Sequence, residues 1–470
     1  MRQNNAPSNS LNRRDFLRVA SSTSLMLAGT GFPTIAAAKT KSQPNILIIL
    51  TDQQHIDTIA AGGCRHVVTP AMDALLQHGV SFTQSYSTNP VCSPARSSIF
   101  TGRMTTETGV VVNGKHIRKD IPNLGQWFSE TSAYETIYAG KWHLPRTHQL
   151  EIEGFRVIHT GIGGHGILGD ASTSRACEGF LRNRAKDKPF LMVASFLQPH
   201  DICEWLRLNT YDPQKLPYDG LTQELPPLPE NFNYDRHEPA YLSKSRLSRD
   251  PFVKGWDHLQ WQYYRWSYYR HIEQVDAEIG RLLQALKEED YHKNTVILFI
   301  SDHGEGLGHH QMVRKSSPYD EASRVPLIVS FPGKIPENVI NTTDLVSGVD
   351  IVPTICDFAG IKPPKHMRGI SLKPLLEGNA ATKHDFVVTE LPGNRARMLR
   401  TNDYKYITYA GDAVDMLFHM KNDPGETRNL APDPAYATIL SDLKKTLIVW
   451  EKTLDIAPQL PNADAWWRKT

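Results

Sequence analysis

Five short apolar runs constrain the fold of this chain more than any other feature: Asn45–Leu50, Glu135–Ala139, Phe190–Phe196, Thr295–Ile300 and Val325–Phe331. Each has the length of a strand, and long helical or loop-rich sequence separates it from the next. An unbroken apolar run marks a strand covered on both faces, as parallel strands are. The alternation predicts an α/β fold in which helices sandwich a large, mostly parallel, mixed sheet. Candidate helices lie at Pro70–His78, from Ser97 to Gly102, and at Ile272–Leu286. In the last, Ile272, Val275, Ile279, Leu282, Leu283 and Leu286 form one apolar face. The aromatic cluster before it, Trp256, Trp261, Tyr263, Tyr264, Trp266, Tyr268 and Tyr269, reads as core and rim, with sugar stacking as the alternative.

The pattern changes near residue 370. Short β-like stretches at Phe386–Thr389 and Tyr404–Tyr409, then a helical stretch at Ala435–Glu451, predict a smaller C-terminal α+β domain over 370–470. The preceding domain spans 39–369. Within it, residues 206–250 carry Pro213, Pro217, Pro226, Pro227 and Pro229 and read as an irregular surface insertion able to shape a substrate entrance.

The first 38 residues stand apart. Arg13-Arg14-Asp15-Phe16-Leu17, a weakly apolar segment and Ala36-Ala37-Ala38 resemble a twin-arginine export leader cut near Ala38, which places the mature chain in the periplasm or outside the cell. No apolar run reaches the roughly 18 residues of a spanning helix, so no membrane span is expected. Lys plus Arg total 52 against 50 Asp plus Glu, a net charge of +2 that argues against a nucleic-acid partner. The five cysteines, Cys64, Cys92, Cys177, Cys203 and Cys356, are odd in number and match no zinc or Cys-x-x-Cys spacing.

Polar residues cluster just after the carboxyl ends of the apolar runs, the edge at which open α/β sheets bind ligands. Asp52 and Gln53 follow the first run, and Asp302, His303 and Glu305 follow the fourth. Two acids brought to one edge from distant strands make an oxygen-rich site for a hard cation, Ca²⁺ or Mg²⁺. Either Asp alone reads equally as a helix cap.

The stretch Cys92-Ser93-Pro94-Ala95-Arg96, followed by Thr101-Gly102-Arg103, resembles the Cys-x-Pro-x-Arg signature of the formylglycine-dependent (type I) sulfatase family. Other stretches are similar to that family in the same order: Asn45–Asp52, Pro70–Leu75, Gly140-Lys141-Trp142-His143-Leu144, Pro199-His200 and Asp302-His303-Gly304. Further on come Lys315, Tyr319-Asp320-Glu321, Arg324–Leu327, Asp423–Glu426 and Asn429-Leu430. The resemblance covers nearly all of the chain beyond the leader and implies an alkaline phosphatase-like fold.

It also implies a chemistry. Cys92 would be oxidised by a formylglycine-generating enzyme, which accounts for the odd cysteine. A thiolate would trap sulfate, whereas the hydrated aldehyde can expel it by collapsing back. Asp52, Gln53, Cys92, Asp302 and His303 would hold the cation, Ca²⁺ rather than Mg²⁺. Gln53 stands where the family often has a second Asp, and His303 where many relatives have Asn. Arg96 and Lys141 would orient the formylglycine and the sulfate oxygens. His143 would take the proton of the second diol hydroxyl, and His200 and Lys315 would stabilise or protonate the departing alcohol. Arg96, Lys141 and Lys315 would offset the charge of an anionic ester. Apart from the resemblance, His309, His310, His116 and His165 read as packing residues, with the lining of a substrate pocket as the alternative for His116 and His165.

The expectation is an exported sulfatase acting on a sulfated carbohydrate. Two alternatives are a phosphodiesterase or phosphonate monoester hydrolase of the same superfamily, and a sulfated-glycan-binding protein whose Cys92 is never converted.

Overall fold

The strand Asn45–Asp52 is buried along its whole length and pairs in parallel with Phe190–Pro199 on one side and Thr295–Ser301 on the other. It is the centre of an eight-stranded mixed sheet in the computed structural model, which describes residues 43–161, 165–209, 222–379, 382–458 and 460. Across the sheet the order is Arg156–His159, Glu135–Gly140, Phe190–Pro199, Asn45–Asp52, Thr295–Ser301, Leu327–Ser330, Gly79–Phe82 and Val339–Asn341. The proposed export leader lies outside the described residues.

The fifth apolar run departs from expectation. Its strand is Leu327–Ser330, and it runs antiparallel to both neighbours. Pro326 has no N–H to give a ladder, so pairing starts only after it. The strands Gly79–Phe82, Arg156–His159 and Val339–Asn341 are too short to stand out as apolar runs.

Alternation along the central strand builds the two layers. Ile46, Ile48 and Leu50 face a core that includes Ile99 and Phe100 of the helix Cys92–Thr101. Leu47 and Ile49 face Ile272, Val275 and Ile279 of the helix His258–Glu288 on the other side. A fully buried Ile or Leu contributes on the order of 1.5–3 kcal/mol, so both layers hold the strand ends firmly.

Both helices start earlier than the apolar pattern indicates. The first begins at Cys92, not Ser97, because Pro94 occupies the first turn, whose N–H groups have no intrahelical acceptor anyway. The second begins at His258, capped by Asp257 and Gln260, and absorbs most of the aromatic cluster. Trp261, Tyr264, Tyr268 and Tyr269 are buried, and Trp256, Tyr263 and Trp266 form the half-buried rim. Of the insertion 206–250, residues 210–221, with Pro213 and Pro217, lie outside the described residues; Ile202–Asn209 runs into it, and Ala240–Leu247 is helical.

Beyond the large sheet, Val387–Glu390, Ala396–Arg400, Tyr404–Tyr409 and Met416–His419 form a four-stranded antiparallel sheet in sequence order. Leu399, Tyr406 and Leu417 pack with Leu443 and Leu447 of the helix Ala437–Glu451. All five cysteines are unpaired. Burial pushes the thiols of Cys177 and Cys356 up to about 12, which leaves them inert.

Candidate active site

The chemistry-bearing residues meet at the carboxyl edge of the large sheet. Asp52 ends the central strand, and Asp302 directly follows Thr295–Ser301. Cys92 opens its helix, and Arg96, one turn on, projects from the same face. Arg96 joins the two acids: Nε donates to Asp302 Oδ2 at 2.8 Å and Nη2 to Asp52 Oδ2 at 3.0 Å. Its Nη1 donates to the Lys141 carbonyl at 2.7 Å and to Ser195 Oγ at 2.8 Å. All of these side chains are buried.

Lys141 follows the strand Glu135–Gly140, and its Nζ lies 2.7 Å from Asp52 Oδ2. The bend that delivers it needs glycine: Gly140 has φ of +98°, and a Cβ there would overlap the Ser195 carbonyl oxygen. Two residues beyond Lys141, His143 holds φ of 63°, and its carbonyl accepts from Ser93 Oγ at 2.5 Å. This strained residue is thereby tied to the nucleophile helix. Its Nδ1 is buried without a hydrogen-bond partner.

Lys315 Nζ lies 2.9 Å from the Cys92 sulfur and 3.4 Å from His303 Nε2. His303 Nε2 is in turn 3.2 Å from that sulfur, and Asp52 Oδ1 is 3.7 Å from it. Burial and the Asp52 charge push the Cys92 thiol up, but Lys141, Lys315 and His303 outweigh them and hold it well below its ordinary value. Burial also opposes the charged form of Asp52, yet the cations Lys141, Arg96 and Lys315 keep it ionised. His200, which follows Pro199, is pushed down to about 4 by burial and by the charges of Lys315 and Lys141. Burial, reinforced by Lys141, lowers His143 as well. Both imidazoles are therefore neutral near pH 7, the form that accepts a proton.

Asp52, Cys92, Asp302 and His303 each offer one ligand atom, all within 4.8 Å of one another. Burial and the neighbouring Asp52 charge push Asp302 up to about 6, so the two acids crowd each other and a cation between them would relieve the repulsion. The residues present thus fit a divalent ion. Gln53 stands beside them with φ of 68°, its N–H donating to Asp302 Oδ1 at 3.1 Å.

Of the residues singled out in the sequence, Asp52, Gln53, Cys92, Arg96, Lys141, Asp302, His303 and Lys315 come together by direct contacts. The loops that carry His143 and His200 join them. His116 and His165 are exposed, and among the described residues no hydrogen bond ties either to this cluster. His116 lines a separate cavity of about 790 Å³ with Trp142, Leu144 and Pro145. Sequence reasoning missed Ser195, a lone polar residue in an apolar strand that accepts from Arg96 and donates to the Lys141 carbonyl at 2.7 Å. Glu305, which the sequence places in this cluster without a role, is wholly buried and bonded to Gln53.

The sulfatase family profile matches residues 44–361, and that of the N-sulphoglucosamine sulphohydrolase C-terminal region matches 308–453. A Delta 4,5-hexuronate-2-O-sulfatase of Bacteroides thetaiotaomicron is 31% identical, with 88% of this chain and 89% of that protein covered. A solved 2-O GAG sulfatase superposes with a TM-score of 0.79 at 29% identity, covering 87% of this chain and 92% of that one. A further structure, solved in complex with its substrate D-glucosamine-2-N,6-O-disulfate, has a TM-score of 0.74 at 25% identity, covering 87% and 98%. The chain belongs to the sulfatase family and has its alkaline phosphatase-like fold. It is a sulfuric ester hydrolase.

Proposed function

We propose that this enzyme removes sulfate from a sulfated carbohydrate, using a formylglycine made from Cys92 and a bound Ca²⁺. The observation that carries the reading is the placement of Cys92 in a buried pocket, with Lys315 at 2.9 Å and with Lys141 and Arg96 held on the adjoining Asp52. A sulfate ester is already anionic, and these three cations offset the charge that an anionic nucleophile would meet. The sulfur of Cys92 is a soft ligand beside Asp52 and Asp302, whereas an oxygen at that position would complete a hard donor set with the Gln53 amide oxygen and His303.

The hydrated formylglycine would supply the hydroxyl nucleophile and release sulfate by returning to the aldehyde. Neutral His143 takes the proton that this release requires, and Lys315 with His200 stabilises the departing alcohol. Arg96 and Lys141 fix the geometry of the reacting groups. His116 and His165 would meet flanking parts of the substrate. The sulfatases of similar sequence and structure act on sulfated sugars, which favours a carbohydrate here. The twin-arginine leader would carry the folded, matured enzyme to the periplasm or beyond, with 39–369 as the catalytic domain and 370–470 as its smaller companion.

The test is the mass of the tryptic peptide His66–Arg96, from protein made with a formylglycine-generating enzyme, followed by rates on sulfated sugars, aryl sulfate and aryl phosphodiester. An aldehyde at position 92 and faster sulfate release are expected. An intact thiol in active protein, or faster phosphodiester cleavage, would overturn the reading.

A further inference from the structure

Two buried carboxylates bracket His200, and both are bonded through the helix Gly166–Asn183. Asp170, on that helix, accepts from the Leu197 N–H at 2.6 Å through Oδ1 and from the Gln198 N–H at 2.8 Å through Oδ2. The ladder between Phe190–Pro199 and Glu135–Gly140 ends at Ser195, and Asp170 takes over where it stops. Asp201, just past His200, reaches back to the helix. Its Oδ1 accepts from the Gly166 N–H at 2.9 Å, and its Oδ2 from the Ile167 N–H at 3.1 Å and from Gln198 Nε2 at 3.0 Å. The His165 side chain does not cap this helix, so Asp201 caps it from outside, at the end where an acid is favoured. Among the described residues neither carboxylate pairs with a lysine or arginine, so N–H groups offset the cost of burying them.

His200 stands between the two attachments. Its N–H donates to the Leu197 carbonyl at 3.0 Å, and its own carbonyl accepts from the Cys203 N–H at 2.9 Å. Leu197 therefore passes the restraint on: Asp170 holds its N–H, and its carbonyl holds His200. Gln198 is gripped from a further side, its Nε2 also donating to Gln274 Oε1 at 3.0 Å on the helix His258–Glu288. The fit leaves no room at Gly166, where a Cβ would lie 2.5 Å from Gln198 Cγ and 2.9 Å from the Gln198 nitrogen. The main chain of His200 is thus fixed on both sides, while its ring stands in the fields of Lys315, Lys141 and Asp52.

We infer that Asp170 and Asp201 are positioning residues that together hold the His200 imidazole at the departing oxygen of the substrate. The inference rests on the proposed role of His200 in stabilising the departing alcohol. It accounts for two buried acids that no ion pair explains, and it ties the start of the helix that follows His165 to the loop of His200.

The test compares kcat/KM, which covers the steps up to departure of the alcohol, on two probes with matured full-length protein. The phenolate of 4-nitrophenyl sulfate leaves unaided, whereas that of phenyl sulfate needs stabilising. Asn keeps the shape of Asp but turns one acceptor oxygen into a donor that meets an N–H. Asp170→Asn and Asp201→Asn should each lower the phenyl sulfate rate about tenfold to a hundredfold, and the 4-nitrophenyl sulfate rate much less. In a His200→Ala background neither should change the ratio of the two rates further, because the group they position is gone. A merely structural role would lower the melting temperature and both rates alike, with the same effect in the His200→Ala background. A ratio unchanged in both Asn variants but altered in His200→Ala would overturn the inference while the role of His200 stands. A ratio unchanged in His200→Ala would overturn both.

Discussion

The Lys315 ammonium lies 2.9 Å from the Cys92 sulfur, although 223 residues separate the two. Burial disfavours a charged lysine, yet Cys92 and Asp52 more than compensate, and Lys315 is held above its ordinary value. It is therefore a permanent cation beside Cys92. Lys315→Met keeps the length and removes the charge, and kcat on a sulfate ester should fall at least about a hundredfold. A loss confined to KM would show that Lys315 only binds substrate.

Cys92→Ala should abolish turnover and leave the fold in place. The side chain is small, and its contacts are with polar catalytic groups rather than with the apolar layers beneath. Circular dichroism and the melting temperature should resemble those of wild type, with no sulfate released. Residual turnover above background would contradict the assignment of the nucleophile.

The frame of the site was legible because strand ends are legible. Asn45–Leu50 and Thr295–Ile300 read as buried strands, which brought Asp52 and Asp302 to one edge before any distance was known. By resemblance, the Cys92 motif added Arg96, and the stretch Gly140–Leu144 added Lys141. Less legible was what holds these residues in place. Glu305 accepts from Gln53, and Tyr264 looks like one more core aromatic until its hydroxyl is seen on Glu305. Such partners come from pairing across 41 and 252 residues, which no local spacing encodes. The early start of the nucleophile helix was obscured by Pro94, and the antiparallel direction of Leu327–Ser330 by an apolar run that reads alike in either direction.

Removing the divalent ion should destabilise the protein as well as silence it. A ligand that binds only the folded state adds about 2.7 kcal/mol at a concentration about a hundred times its Kd. Scanning fluorimetry after chelation should show a lower melting temperature that rises again with added Ca²⁺. A melting temperature indifferent to Ca²⁺ would count against a cation between Asp52 and Asp302.

His310 gives a pH signature independent of catalysis. It is 2% exposed, its ring stacks on Tyr319 at 3.9 Å between centroids, and its Nε2 accepts from the Asn231 amide at 3.1 Å. Burial pushes it down to about 4 against the opposing charge of Glu321, with His309, Arg246 and Lys405 nearby adding to the depression. The native ring stays neutral where the unfolded ring, near 6.5, takes up a proton. Stability from this group is thus complete above about pH 6.5 and declines towards about pH 4, by up to about 1.4 kcal/mol per pH unit. Denaturant melts of wild type and His310→Gln should differ by a constant amount above about pH 7, with the difference moving against wild type below about 6.5. A difference that does not change with pH would refute the buried neutral ring.

One buried lysine helps to fasten the smaller sheet to the segment that follows Lys315. Lys405, on the strand Tyr404–Tyr409, has no exposure, and its Nζ donates to Asp320 Oδ1 at 2.5 Å and Glu426 Oε1 at 2.7 Å. Glu426 Oε2 in turn accepts from the Asp320 N–H at 2.7 Å. Asp320 lies only a few residues beyond Lys315, so the triad fixes the segment that carries Lys315. Removing one partner of a buried ion pair leaves an uncompensated charge, which costs about 3–5 kcal/mol. Lys405→Met should lose about that much in urea unfolding. Adding Glu426→Gln, which removes one of the stranded carboxylates, should recover part of the loss, because the cost lies in unpaired charge rather than in lost contact. If the double variant were no more stable than Lys405→Met, packing and not charge would account for the effect.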